Sequence, residues 1–314
     1  MWSGGRYNPG AILGHFDSEG ALGKLDDLFE SLEPEIVATG FVFTEGPLWH
    51  PSGILYVSDV DAQIHYKVHL SGNSGPSTKE AIRENSGGAN GAVFDEEGRL
   101  VICEQDARRV VRYEPGGSIT VIADRFEGKR LNRSNDVVLH TDGSLYFTDP
   151  DKKGLPEEEK ELGYASVFRL GPDGKLTLLA NDMNHPNGLA FSRDHTTLYV
   201  SNSRPDPHLH AYDASSDGQL NNSRRVCEMP YGPAGELDGV PDGLKLDANG
   251  NIYVTGPGGI WVWDSGENLL GLVELPELPA NLGWGDPDNR TMFVTARTSV
   301  YRLRANAPGV PVQH

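Results

Sequence analysis

Apolar and polar positions alternate in short runs along the chain, and the runs recur. From Glu45 the sequence reads EGPLWHPSGILYVSD: a polar residue, an apolar stretch, a polar turn with glycine, then a strand-like apolar run. The same order begins at Asn90 (NGAVFDEEGRLVICE), Asn135 (NDVVLHTDGSLYFTD), Asn187 (NGLAFSRDHTTLYVSN), Asp242 (DGLKLDANGNIYVTG) and Asn281 (NLGWGDPDNRTMFVT). The six starts lie 45, 45, 52, 55 and 39 residues apart. Runs such as Leu145–Thr148 and Ile252–Thr255 are β-branched and aromatic, which suits strands. The pairs Glu97-Gly98, Asp142-Gly143 and Asn249-Gly250 suit the tight turns before them. A second pair of runs usually follows, as in Val110–Tyr113 with Ile119–Ile122, or Val167–Leu170 with Leu176–Leu179.

Four strands in about 45 residues is the unit of a propeller blade. The expected fold is therefore all-β, a six-bladed β-propeller spanning 35–304 as one domain. After Asn281 only two clear strands remain, so Glu35–Thr39 is expected to supply an outer strand to the last blade and cover its edge. Upstream, Leu22, Leu25, Leu28, Phe29 and Leu32 recur at helical spacing and predict a short helix in an N-terminal arm, 1–34, packed on the propeller. Residues 305–314 read as a C-terminal tail.

Composition narrows the picture. The 38 glycines and 21 prolines are what many short elements need. A net charge of −18 argues against nucleic acid and anionic membrane surfaces as partners. Met1–Gly20 shows no basic segment followed by an apolar run, and no window is apolar enough to span a bilayer. With two cysteines, Cys103 and Cys227, a disulfide framework is not expected. A cytoplasmic protein, monomeric or a small homo-oligomer, is the simplest expectation. Gly256–Gly259 lacks the surroundings of a phosphate loop and reads as a blade turn. The acidic run Glu157–Glu159 reads as a solvated loop that could overhang a pocket.

The repeat also predicts chemistry. Equivalent positions of a propeller share a radius, so the six starting residues should ring one end of the central channel. Glu45, Asn90, Asn135, Asn187, Asp242 and Asn281 all carry a side-chain carbonyl or carboxylate oxygen. Converging oxygens with two carboxylates suit a hard divalent cation, Ca2+ before Mg2+ or Mn2+. Asn and Asp before Gly are also turn formers, which accounts for them without a metal but does not account for Glu45.

On these stretches, together with GKRLNRSNDVV, HPNGLAFS and LPANLGWG, the sequence resembles the gluconolactonase family of six-bladed propellers, which includes regucalcin and, more distantly, diisopropylfluorophosphatase. The likeness runs from about Glu35 to Arg304. It implies a metal-dependent lactonase acting on a sugar lactone, with Glu45, Asn135, Asn187 and Asp242 as metal ligands. Ca2+ is the first candidate, with Zn2+, Mn2+, Mg2+ or Fe2+ as others. It further implies Arg133, Asn90 and Asn135 as substrate contacts and Asp136 as a carboxylate that orients ligands. Asp242 is the candidate general base, His185 a second one, and Asn281 is left as a turn residue. Two alternatives stand beside this: an organophosphate hydrolase, and a non-catalytic protein-binding propeller with a structural ion.

Overall fold

Each of the six repeats builds a four-stranded antiparallel sheet, and in the first five the strands follow chain order outward from a common axis. The computed structural model describes residues 25–71, 77–151, 156–229 and 239–310. Blade 1 runs Thr44–His50, Ile54–Asp59, Ile64–His69, Thr78–Glu84. The innermost strands of blades 2 to 6 are Ala89–Phe94, Val137–Leu139, Pro186–Phe191, Leu244–Leu246 and Pro279–Gly285. These strands touch one another in cyclic order, with blade 6 back against blade 1, so the six-bladed β-propeller closes. The hairpin glycines behave as their dipeptides predict: Gly98, Gly143 and Gly250 have φ of 73°, 77° and 86°.

The seam lies where the strand count places it. Glu35–Thr39 pairs antiparallel with Ser299–Arg304 and forms the outer strand of blade 6. First and last parts of the propeller thus share one sheet, which removes a free edge.

Among the described residues the buried apolar side chains form six clusters, one at each junction between neighbouring blades. Phe147 and Phe168 of blade 3 meet Val101 and Val110 of blade 2. Leu55 and Val57 of blade 1 meet Phe293 and Val300 of blade 6. Each such side chain, fully buried, contributes about 1.5–3 kcal/mol relative to exposure. The core is therefore a ring of interfaces around the axis.

Of the helix expected in the N-terminal arm only the end is described, with Leu25 helical. Leu22 lies outside the described residues. From Leu25 the chain makes one turn, Leu28 N–H donating to Leu25 O at 2.9 Å, and then leaves helical geometry. Phe29 bridges Ala305, and Glu30 N–H donates to Arg304 O at 2.8 Å. Backbone pairing to the last strand replaces helix propagation. The apolar spacing still has a physical reason, because Leu25 and Phe29 are buried in the cluster between blades 5 and 6. Part of the tail is held as well: Gly309 bridges Asp247, and Val310 N–H donates to Leu246 O.

Candidate functional site

Four of the six repeat-start residues, Glu45, Asn90, Asn187 and Asn281, lie inside the innermost strands instead of preceding them; Asn135 and Asp242 come two residues before. The ladder is irregular beside each of these four, for example between Glu45 and Leu48 and between Pro186 and Leu189. Such bulges turn a side chain out of its alternation.

Neighbouring blades are stitched together at this level. Ser58 Oγ donates to Asn90 O at 2.7 Å, Thr148 Oγ1 to Asn187 O at 2.6 Å, and Ser201 Oγ to Asp242 O at 2.5 Å. Gly91 N–H donates to Asn135 O at 2.9 Å. The glycines after the starting residues are explained by this approach. A Cβ on Gly91 would lie 2.2 Å from Asp136 Oδ1, and one on Gly243 would lie 2.1 Å from Asn281 Oδ1. Neither has a positive φ. Their Asn-Gly and Asp-Gly pairs mark contact between blades, not turns.

Glu45, Asn90, Asn135, Asn187 and Asn281 are buried, and Asp242 is deep in the channel yet partly reachable by solvent. The amide nitrogens are used: Asn90 Nδ2 donates to Gln105 Oε1 at 3.1 Å and Asn187 Nδ2 to Ser203 Oγ at 3.0 Å. The amide oxygens are not. Oδ1 of Asn90, Asn135 and Asn187, and Oδ2 of Asp136, are buried with no hydrogen-bond partner. An unsatisfied buried polar group costs about 1–3 kcal/mol, so four around one channel is a heavy cost without an occupant. Asn281 is not a turn residue. It sits in its strand, its Oδ1 accepts from Leu282 N–H at 2.8 Å, and its amide bonds the Glu45 carboxylate.

Electrostatics point the same way. Burial first, then the nearby Asp136, pushes the Glu45 carboxyl well above its ordinary range. Burial, then Glu45 and Asp136, does the same to Asp242. Carboxylates that raise one another's pKa share a site short of positive charge. The donors fit a hard cation: two carboxylates and unpartnered amide oxygens, all oxygen. Among the described residues no group of three or more His, Cys, Asp or Glu is placed to hold a metal, so any such site here depends on amides.

Around the mouth, Asp149 fixes the loop before Asn135. It accepts Asn132 N–H at 2.7 Å and Arg133 N–H at 2.8 Å. The Arg133 guanidinium is largely enclosed, its buried Nε has no partner, and burial lowers its pKa. His185 is buried, donates its N–H to Asn202 Oδ1 at 2.8 Å, and turns Nε2 to Arg204 Nη2 at 3.3 Å. Arg204 also acts electrostatically on Arg133 and Asp242. Glu157–Glu159 form one exposed 3-10 turn. Cys103 and Cys227 are free thiols, both raised in pKa by burial, Cys227 to about 12.

A separate cavity of about 110 Å3 occupies the opposite half of the channel. Its walls include Leu48, Val93, Leu139, Phe191 and Trp284, so it is apolar and distinct from the oxygen-lined end. Lys245 borders it and reaches back towards Asp136, with Nζ 3.8 Å from Oδ2. Sequence reasoning missed Lys245, Arg204, Gln105 and Ser203. For Lys245 a signal existed: the same position in the other blades is Leu48, Val93, Val138, Ala190 or Trp284, all apolar.

Fold and site together define a six-bladed propeller with an oxygen-lined axial pocket. The chain belongs to the SMP-30/gluconolactonase/LRE-like family, whose profile matches residues 43–298. It is 34% identical over 308 residues to a gluconolactonase of Zymomonas mobilis, covering 91% of this chain and 85% of that one. A pentonolactonase of Haloferax volcanii is 28% identical over 271 residues, 83% of each chain. The solved structure of a gluconolactonase from Xanthomonas campestris superposes with a TM-score of 0.78 at 28% identity, covering 96% of this chain and 94% of that one.

Proposed function

We propose that this protein is a hydrolase that opens a sugar lactone to the aldonic acid and depends on a divalent cation. The observation that carries the reading is the set of buried, unpartnered oxygens of Asn90, Asn135 and Asn187 beside the carboxylates of Glu45 and Asp242. Family membership supplies the reaction class.

Glu45, Asn135, Asn187 and Asp242 would hold the cation, and their all-oxygen chemistry favours Ca2+. When bound, it polarises the lactone carbonyl and offsets the negative charge that grows on its oxygen. Arg133 binds ring hydroxyls through guanidinium donors, and Asp149 holds its loop in place. Asn90 contacts the substrate, and Asp136 keeps the ligands oriented. Asp242 takes a proton at a carboxylate oxygen from the attacking water. Water oxygen bonds to the carbonyl carbon, the ring C–O bond breaks, and the proton passes to the departing alkoxide. With the cation bound Asp242 stays ionised, the state a base needs in order to accept that proton. His185 suits this role less, because Nε2 already faces Arg204.

A pH-stat panel of 1,4- and 1,5-aldonolactones beside a fluorophosphate ester tests the reaction class. The expected result is acid release from at least one lactone well above its spontaneous opening. Turnover of the fluorophosphate alone overturns the proposal in favour of an organophosphate hydrolase.

A further inference from the structure

The axial channel holds a lysine among its acids, and its surroundings give it a role. Lys245 lies three residues after Asp242 on the innermost strand of blade 5. The other five blades place an apolar residue there. Its side chain is only 25% exposed, which is costly for an ammonium on an apolar wall unless something compensates. Two contacts do so: Nζ donates to Leu244 O at 2.9 Å and lies 3.8 Å from Asp136 Oδ2. That carboxylate oxygen has no hydrogen-bond partner, and Asp136 is only 2% exposed. Asp136 itself departs from the repeat, since four of the six blades have glycine directly after the starting residue. Two departures, one acidic and one basic, on blades 3 and 5, therefore meet inside the channel.

The consequence is a charge balance. With a cation keeping them ionised, Glu45, Asp136 and Asp242 bring three negative charges to the channel, and Lys245, paired with Asp136, returns one positive charge. The formal balance is −2, which one divalent cation cancels. We propose that Lys245 is the built-in counter-cation of Asp136 and matches the site to divalent over trivalent ions. This rests on the metal reading of Glu45, Asn135, Asn187 and Asp242. Lys245 acts here through Asp136 and is a positioning residue, not a ligand.

Calcium and terbium binding to the chelator-stripped full-length protein tests the proposal, with affinities measured by calorimetry and by competition. Lys245→Met leaves a balance of −3, and the Tb3+ to Ca2+ affinity ratio should rise about tenfold or more. Asp136→Asn leaves −1 and should shift the ratio the opposite way. In the double variant Asp136→Asn/Lys245→Met the balance is again −2, and the ratio should return to within about twofold of the parent. A ratio unmoved in both single variants, each folded by circular dichroism, overturns the role of Lys245. If Lys245→Met does not fold, Asp136→Asn decides alone: an unchanged or reversed shift refutes the proposal. A parent protein that binds neither ion removes the metal reading itself, and the proposal falls with it.

Discussion

Asp136 shows how much of the site a single residue encodes. Its neighbours in the repeat are Gly46, Gly91, Gly188 and Gly243, and the missing Cβ of Gly91 leaves the space that its carboxylate fills. The repeat alone picked out Glu45, Asn90, Asn135, Asn187 and Asp242, because residues at equal radius must converge. It could not reveal that the amide nitrogens of Asn90 and Asn187 are anchored and their oxygens left over, since their partners Gln105 and Ser203, each directly after a second strand, are different residue types. Arg204 stayed hidden because it lies in a connection between strands, outside the repeated pattern, whereas Lys245 stood out only against the apolar residues of the other blades. For Arg133, replacement by Met removes charged hydrogen bonds worth about 1.5–3 kcal/mol. The expected outcome is KM for the lactone raised about tenfold or more, with Ca2+ affinity within about twofold of the parent. An unchanged KM would reduce Arg133 to a loop contact.

Strands and turns were largely legible, and for a local reason. A hairpin glycine such as Gly98, with nothing near the place of a Cβ, answers only to its own turn, so its dipeptide suffices. The Asn-Gly and Asp-Gly pairs at the axis answer to the next blade, which local turn chemistry cannot see. The helix expected around Leu25 does not continue past that residue, because Phe29 and Glu30 find backbone partners in Ala305 and Arg304, remote in sequence. Hydroxyls in the second strands, Ser58, Thr148 and Ser201, link consecutive blades near the pocket. Thr148→Val keeps the shape and deletes the bond to Asn187 O, so it should cost about 1–3 kcal/mol. A urea transition shifted by that amount is the expected result; an unshifted transition shows that the blades hold without the link.

For the whole molecule, closure and charge act together. Blade 6 is completed by Glu35–Thr39, and the central axis gathers carboxylates in a chain already at −18. Without a cation, Glu45 titrates above its unfolded value near 4.5, and Asp242 above its own. The folded state then binds protons that the unfolded chain has released. Their contribution to stability is whole below about pH 4 and is lost as the pH rises through the folded values, across neutrality. With the cation the carboxylates stay ionised and that loss disappears. Melting the stripped and Ca2+-loaded protein at about pH 5 and about pH 8 should show a gap between them that widens with pH. A gap of constant size contradicts this coupling.

The central claim is that these oxygens hold a dication on which lactone hydrolysis depends. Its most direct test is the lactone hydrolysis rate of the same protein sample before chelation, after chelation and after Ca2+ is restored, with Asp242→Ala beside it. The account predicts activity lost on chelation and regained with Ca2+ in the parent, and neither binding nor regain in Asp242→Ala. Full activity in the chelated parent, with no metal left by elemental analysis, contradicts it.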